Sequence, residues 1–256
     1  MNKNNNDQNT ITGHLTELRS RLIKSLIFVF IIFIFGYIFA EYIYSFLLEP
    51  YAKAVKNDGI ERRLIFTALH ETFITYLKLA FFVALLLGSP IFLTQMWKFI
   101  APGLYKNEKK ALLPYLIATP ILFLLGGMLV YYLIMPLAIK FFLTFETTGQ
   151  INNLPIQLEA KVNEYLSLIM RLIFAFGLSF QLPVLLNLLA RVGVIDSKYL
   201  KERRRYFIVI IFAAAAILTP PDPITQIGLA IPLLILYELS ILSVKLTEKK
   251  KQKENA

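Results

Sequence analysis

Two glutamates, Glu17 and Glu108, stand among basic residues close to long apolar segments of the chain. An ionised carboxylate can accept two parallel hydrogen bonds from one guanidinium group, so each is a candidate acceptor for an arginine of a basic ligand. The structural alternative for Glu17 is an i,i+4 pair with Arg21 on an interfacial helix. For Glu108 it is a place in the first turn of a helix, where the helix dipole favours a negative charge.

A second group of polar side chains interrupts an apolar stretch. Glu164 and Arg171 are seven residues apart, so on a helix they share a face, and Gln181 follows further along. Ionisable residues inside a membrane are costly and usually face protein or water. Three interpretations remain open: a functional polar cavity, hydrogen bonding between helices and, for Arg171, snorkelling to the near surface.

A third group surrounds the proline-rich turn that runs from Thr219 to Pro223. Asp222 is expected to cap the helix that follows, because a carboxylate accepts hydrogen bonds from the free N–H groups of a first turn. Gln226 then lies one turn into that helix as a single polar side chain.

Several kinds of chemistry are not expected. The chain has no cysteine, which removes disulfides, thiolate zinc sites and cysteine nucleophiles, and its two histidines are far apart. It has no G-x-x-x-x-G-K-[ST] loop for ATP, and no Ser-His or Asp-Asp set inside the apolar segments. We therefore expect neither an enzyme nor a bound metal or cofactor.

Six apolar segments must position these groups. The chain is 57% hydrophobic and 17% charged, and an apolar helix of ~20 residues crosses the ~30 Å hydrocarbon core of a membrane. A spanning segment must satisfy its own backbone hydrogen bonds, which favours helices. The sequence predicts an all-α polytopic membrane protein with six transmembrane helices. The predicted spans are residues 22–40, 79–97, 111–139, 162–190, 206–219 and 224–244.

The distribution of positive charge predicts the topology. Most of the 27 Lys and Arg residues flank the two termini and the loops near residues 98–110 and 191–205, which indicates that these segments share the cytoplasmic side. Both termini are then cytoplasmic. Topology and anionic lipids account for the net charge of +10, so no nucleic acid partner is expected.

The predicted organisation has one folded domain between two tails. Residues 1–13 are polar and predict a disordered cytoplasmic tail, residues 14–244 form the six-helix transmembrane domain, and residues 245–256 form a basic cytoplasmic tail. The longest outer loop, 41–70, is rich in Tyr, Phe and Leu and predicts an interfacial helix.

Specific motifs are spread over nearly the whole chain. The strongest is Phe99-Ile100-Ala101-Pro102-Gly103-Leu104-Tyr105 followed by Glu108. Others are His14 to Arg19, Phe180-Gln181-Leu182-Pro183, and Thr219-Pro220-Pro221-Asp222 with Gln226. With these motifs the chain resembles the TatC family, the receptor subunits of twin-arginine protein translocases.

The resemblance implies a function in protein export. TatC-like proteins recognise a signal peptide with two consecutive arginines, and folded cargo then crosses the membrane at the expense of the proton-motive force. The family's recognition carboxylates fall on Glu17 and Glu108, and the implied signal-peptide site also includes Arg19, Phe99, Leu104 and Tyr105. Many relatives carry Glu where this chain has Gln181, and an amide cannot titrate, so no proton-carrying role is expected there.

The resemblance also implies partners and a shape. TatA-like and TatB-like single-span subunits would dock near the last two spans, at Gln226, Asp222 and Ile210. The six helices would form a concave, glove-like wall in a bacterial-type inner (plasma) membrane or an organellar equivalent. Twin-arginine precursor proteins, membrane lipids and further copies of the chain complete the implied partners.

Two functions of other classes remain open from the residues alone. A small-solute secondary transporter would bind its ligand at broken helices near the midplane, and the prolines of the third span allow that. The lack of a repeat relating the first three spans to the last three argues against it. An intramembrane enzyme would need a catalytic set that the spans do not contain.

Overall fold

The computed structural model describes residues 4–56, 63–100, 109–147, 156–219 and 222–254. These residues are almost entirely helical, with two isolated β-bridges, Ile65 to Lys161 and Thr147 to Ile156. One segment, Val130–Ile134, is a π-helix. The α-helices are α1 (Asn4–Ile38), α2 (Ala40–Val55), α3 (Glu71–Ile100), α4 (Lys109–Leu129), α5 (Met135–Leu143), α6 (Val162–Ser179), α7 (Leu182–Val192), α8 (Ser197–Glu202), α9 (Arg204–Leu218) and α10 (Pro223–Glu254).

Each of the six predicted spans coincides with a helical segment. In the described part of the chain, five segments are long and apolar enough to cross a membrane. The remaining predicted span corresponds to α9, whose 15 residues extend about 22 Å, less than a ~30 Å hydrocarbon core. The predicted class, an all-α polytopic membrane protein, is confirmed. The five segments are Arg19–Ile38, Glu71–Phe92, Pro114–Leu143, Val162–Arg191 and Pro223–Lys249.

Several helix boundaries differ from the prediction. Helix α1 begins at Asn4, so it includes residues predicted as a disordered tail, and α10 continues to Glu254 through the predicted basic tail. Neither extension contains a proline, and the Lys and Glu residues of α10 are good helix formers. The fourth predicted span is two helices, because Pro183 lacks an N–H and begins a new first turn in α7.

The helices divide into two compact units. Unit 1 comprises Met1–Ile43 and Tyr76–Pro120, and unit 2 comprises Tyr44–Thr75 and Ile121–Ala256. In unit 1, α1 and α3 pack closely where each carries a glycine. A Cβ added at Gly36 would lie 3.2 Å from the backbone of Ala80, and one at Gly88 would lie 2.5 Å from a methyl of Val29.

Unit 2 contains a core around α6 and α10. The α4 backbone at Gly126 approaches α6 so closely that an added Cβ would lie 2.7 Å from the carbonyl oxygen of Phe176. Helix α10 packs against α7, α8 and α9. Its Tyr237 is fully buried, stacks on Phe207 of α9 at 4.8 Å between ring centroids, and donates a 2.6 Å hydrogen bond to the carbonyl of Leu200.

Candidate functional site

The candidate recognition residues lie on α1 and around the end of α3. Arg19 is exposed on α1. Glu17 and Phe99 belong to the backbones of α1 and α3. The candidates whose side chains lie outside the described part of the structure are Glu17, Phe99, Leu104, Tyr105 and Glu108.

A hydrogen bond within unit 1 joins the two helices beside these candidates. The guanidinium Nη1 of Arg21 donates to the amide Oε1 of Gln95 over 2.9 Å. Arg21 lies one turn after Glu17 on α1, and Gln95 lies one turn before Phe99 on α3. This bond therefore fixes the helix turns next to two predicted recognition residues. We did not predict this bond from the sequence, where Arg21 has an equally plausible partner in Glu17.

The three polar residues of the fourth predicted span do not share one environment. Glu164 is exposed and forms an i,i+3 ion pair with Lys161 at 3.7 Å. Arg171 is also exposed, on the same side of α6, and forms no ion pair with another described residue. Gln181 is buried at the break between α6 and α7, where it is the N-cap residue of α7.

The turn before α10 has the predicted cap. Asp222 is 5% exposed, and its carboxylate accepts hydrogen bonds from the N–H of Thr225 at 2.7 Å and from the Thr225 hydroxyl at 2.5 Å. Gln226 is half-buried, and its side-chain amide makes no hydrogen bond to another described residue. Ile210 of α9 is 58% exposed. The observed role of Asp222 is thus to cap α10.

Partly buried polar bonds that the sequence did not predict hold α10 against α7 and α8. The Ser243 hydroxyl donates to Oδ1 of Asn187 at 2.8 Å, and Nδ2 of Asn187 donates to the carbonyl of Pro183 at 2.8 Å. The carboxylate of Glu248 accepts from the N–H of Ser197 at 2.7 Å and from its hydroxyl at 2.5 Å. The sequence gives little indication of these contacts, because a single polar residue in an apolar helix does not identify its partner.

Two tyrosines of unit 2 form hydrogen bonds to helix α2. Tyr165 of α6 donates its hydroxyl to the carbonyl of Leu47 at 3.0 Å. The hydroxyl of Tyr131 lies 2.8 Å from the carbonyl of Phe46 and 3.1 Å from the carboxylate of Glu49. Hydrogen bonds from Lys53 and Tyr131, with the charge of Lys53, hold the pKa of Glu49 below its usual value. Helix α2 is therefore anchored to both spans through its backbone carbonyls.

Comparison with known proteins identifies the class. Five described segments able to cross a membrane, together with the family match that follows, make this a multi-pass membrane protein. No group of three or more potential metal ligands occurs among the described residues. Residues 13–232 match the family model described as "Sec-independent protein translocase protein (TatC)". The chain belongs to the TatC family, which supports the translocase interpretation over the small-solute transporter.

Individual relatives agree with this assignment. The chain is 46% identical over 246 residues to the Sec-independent protein translocase protein TatC of Magnetococcus marinus, covering 96% of this chain and 88% of that one. It is 36% identical over 235 residues to the Escherichia coli K12 protein of the same name, covering 92% and 88%. A crystal structure of the twin-arginine translocase receptor TatC in DDM matches with a TM-score of 0.76, 39% identity, and coverage of 90% and 99%.

Proposed function

We propose that this protein is the twin-arginine signal-peptide receptor and a core subunit of a translocase that exports folded proteins across an energised membrane. The observation that carries the proposal is the family match over residues 13–232, which includes the segments of both candidate carboxylates. The proton-motive force supplies the driving energy in this proposal, and no nucleotide or cofactor takes part.

Recognition in this proposal is electrostatic and bidentate. Glu17 and Glu108 each accept a guanidinium group of the signal peptide, and Arg19, Phe99, Leu104 and Tyr105 line the site. The bond from Arg21 to Gln95 supports it, because it holds the turns that carry Glu17 and Phe99 on α1 and α3. A bidentate arginine pair is geometrically specific, so a lysine at the same place binds less well.

Binding of a purified twin-arginine signal peptide tests this recognition. Loss of one charge-assisted hydrogen bond costs ~1.5–3 kcal/mol, so Glu17→Ala or Glu108→Ala is expected to weaken binding by about one to two decades. Glu108→Lys is expected to bind worse than Glu108→Gln, because it adds repulsion. Wild-type affinity in the Glu17→Ala, Glu108→Ala double variant would refute the assignment.

Two controls make this experiment specific. The peptide with both arginines replaced by lysine is expected to bind wild-type protein more weakly than the original. Glu202→Ala removes an exposed carboxylate whose contact with Lys198 is long, at 4.0 Å, and is expected to leave signal-peptide affinity unchanged. An equal loss in Glu202→Ala would indicate that general negative charge attracts the peptide.

Partner docking is proposed at α9 and α10. TatA-like and TatB-like single-span subunits cover the short α9, contact Ile210, and pair a polar group with Gln226, while Asp222 shapes the turn. The exposure of Ile210 and the available amide of Gln226 support this. The length of α9 also supports it, because a helix shorter than the hydrocarbon core thins the bilayer or recruits a neighbour.

Reconstitution with a purified single-span partner tests the docking surface. A photo-crosslinker at Ile210 is expected to capture the partner, and one at Ile27, which is 55% exposed on α1, is not. Gln226→Leu is expected to impair transport and to leave signal-peptide binding intact. If Gln226→Leu lost binding as fully as Glu108→Ala, the surface would belong to recognition.

The exposed polar side chains of α6 are proposed to face water inside the membrane. Glu164 and Arg171 contribute polarity to this surface and neither binds a metal nor relays protons. Normal transport by Glu164→Gln together with failure of Glu164→Leu would support this. A pH-dependent loss of transport in Glu164→Gln would show that Glu164 titrates during transport.

The membrane and the orientation are also part of the proposal. The protein lies in a bacterial-type inner membrane or an organellar equivalent, with both termini on the cytoplasmic side and further copies of the chain in one complex. The native chain has no cysteine, so an introduced one reports without background. Lys56→Cys is expected to react with an impermeant reagent from outside, and Lys201→Cys is not. Both side chains are exposed, so the side of the membrane on which each lies decides whether it reacts.

A further inference from the structure

A groove of about 240 Å³ lies in unit 2 between α2 and the segment that joins α4 to α5. This volume is below the ~300–1,000 Å³ typical of sites that enclose a whole small molecule. The groove therefore suits a headgroup better than a cofactor. Its lining residues are Glu49, Pro50, Lys53, Ala54, Tyr131, Tyr132, Pro136 and Lys140.

The π-helix Val130–Ile134 shapes one wall of this groove. It contains two consecutive tyrosines with opposite exposure: Tyr131 is buried, with its ring stacked on Phe46 at 4.4 Å, and Tyr132 is 70% exposed. The two tyrosine rings meet edge to face at 4.8 Å. Single π-helical turns are rare and occur frequently at functional sites. Here the π-helix places one aromatic ring beneath the groove and the next at its rim.

The charges of the groove leave a positive excess. Glu49 is already engaged, because Lys53 lies 2.6 Å from its carboxylate and the Tyr131 hydroxyl lies 3.1 Å from it. Lys140 is exposed and forms no ion pair with another described residue. Two lysines and one glutamate carry a net charge of one, which a single negative charge would neutralise. The complementary ligand is therefore a monoanion.

The surroundings indicate that this anion has an apolar part. Lys140 lies in the last turn of the candidate span Pro114–Leu143, where a lysine head is at headgroup level. On the preceding turns, Leu133 is 52% exposed and Leu137 is 47% exposed, so apolar surface continues from the groove toward the membrane. Free inorganic phosphate would contact the lysines and would not cover this apolar surface.

We propose that the groove binds the phosphodiester headgroup of a membrane phospholipid. The ammonium groups of Lys140 and Lys53 contact the phosphate, Tyr132 and Pro136 pack against the glycerol, and an acyl chain follows Leu133 and Leu137. With the topology proposed above, this lipid belongs to the leaflet opposite the termini. It would hold α2 against the span that carries Tyr131.

Photo-crosslinking with a photoactivatable phosphatidylglycerol tests the site, since peptide mapping separates this groove from other lipid contacts. Wild-type protein is expected to be labelled on the α2 and α5 segments that line the groove. Lys140→Gln is expected to reduce this labelling about tenfold, as one charge-assisted hydrogen bond is lost, and Lys140→Glu to abolish it. Lys56→Gln is the matched control, because Lys56 is exposed just beyond α2 and does not line the groove.

Competitors distinguish the source of the phosphate. Unlabelled phosphatidylglycerol is expected to displace the probe, whereas inorganic phosphate, glycerol 3-phosphate and diacylglycerol are not. Displacement by glycerol 3-phosphate at similar concentration would assign the groove to a soluble phosphate. Unchanged groove labelling in both Lys140 variants, or an equal loss in Lys56→Gln, would overturn the proposal. Signal-peptide binding is expected to stay at wild-type level in Lys140→Gln, so this result is independent of the proposed receptor function.

Discussion

Two spans of this protein have nearly the same hydropathy and very different packing. In the segment Arg19–Ile38 of α1, an 18-residue stretch has a mean hydropathy of 2.2, and 11% of its residues are buried inside the protein. In the segment Val162–Arg191, which includes α6 and α7, the corresponding stretch has a mean hydropathy of 2.0, and 61% of its residues are buried. Hydropathy therefore reports that a helix belongs in a membrane, and it does not report whether protein or lipid covers it.

The side chains show why the two differ. On α1, Leu26 is 68% exposed and Phe30 is 62% exposed, so any apolar side chain of similar size satisfies these positions. On α6, Leu166 and Leu172 are fully buried, so their shape must fit their neighbours. Substitutions of the same type in the two spans should then have different costs.

The largest expected difference comes from matched leucine truncations. Leu172→Ala is expected to lower the free energy of unfolding by about 2–5 kcal/mol, because it leaves a cavity in a packed interior. Leu26→Ala is expected to lower the free energy of unfolding by much less, because lipid fills the space that the side chain leaves. Unfolding of both variants in mixed detergent micelles provides the measurement. Equal destabilisation would mean that the burial difference between α1 and α6 has no energetic consequence.

The second difference concerns close helix approaches. Gly126→Ala is expected to destabilise unit 2 by about 2–3 kcal/mol, because the new methyl would meet the backbone of Phe176 at 2.7–2.8 Å and backbone cannot move aside. Gly88→Ala in unit 1 would meet only a methyl of Val29, at 2.5 Å. A rotamer change of Val29 can relieve that contact for about 1 kcal/mol. Thermal unfolding of the two variants compares them, and a larger effect at Gly88 would reverse the comparison.

A third test addresses the polar contact between α7 and α10. Ser243→Ala leaves the buried Oδ1 of Asn187 without its 2.8 Å donor, and is expected to cost about 1 kcal/mol. In a double-mutant cycle with Asn187→Leu, a coupling of about 0.6–1.7 kcal/mol is expected. Thr247→Ala is the control, because among the described residues the Thr247 hydroxyl bonds only to the Ser243 carbonyl of its own helix. A coupling near zero would show that this contact does not stabilise unit 2.

The sequence predicts the helices of this fold better than their contacts. A membrane span needs about 20 apolar residues, so five of the predicted segments could be recognised from the sequence without knowledge of their neighbours. The sixth, which corresponds to α9, is shorter than this. Pro183 lies in the first turn of α7, after the break from α6, but the continuous hydropathy of residues 162–190 predicted a single span. The contact of Ser243 with Asn187, and that of Tyr131 with the α2 backbone, join positions 56 and 85 residues apart. No local pattern specifies such pairs, because many polar residues could face one another.

The candidate site also contains features that local sequence predicted and features that it did not. The cap formed by Asp222 followed from local turn chemistry and is present. The predicted common polar face of the fourth span holds for Glu164 and Arg171, which lie two helical turns apart, and does not extend to Gln181. Gln181 lies beyond Ser179, the last residue of α6, and is the N-cap residue of α7, so it does not belong to the helix that carries Glu164 and Arg171.

The smallest expected effect is a pH dependence at Glu49, in the helix outside the packed spans. Its pKa in the folded protein lies below the ordinary value of 4.5, because Lys53 and Tyr131 donate hydrogen bonds to the carboxylate. The unfolded chain therefore binds a proton at Glu49 more readily than the folded chain does. The resulting stabilisation is fully present above about pH 4.5 and is lost as the pH falls through the lowered folded pKa.

Glu49→Gln isolates this contribution. The amide cannot titrate, so the variant is expected to lose less stability than wild type as the pH falls from neutral to below the lowered folded pKa of Glu49, as measured by thermal unfolding in detergent. Glu202→Gln is the control, because it removes another exposed carboxylate that has only a 4.0 Å contact with Lys198. The effect should be small, since Glu49 remains accessible to solvent and its ion pair with Lys53 is screened. An identical pH profile in wild type and Glu49→Gln would show that the contacts of Glu49 add nothing to the stability of the folded state.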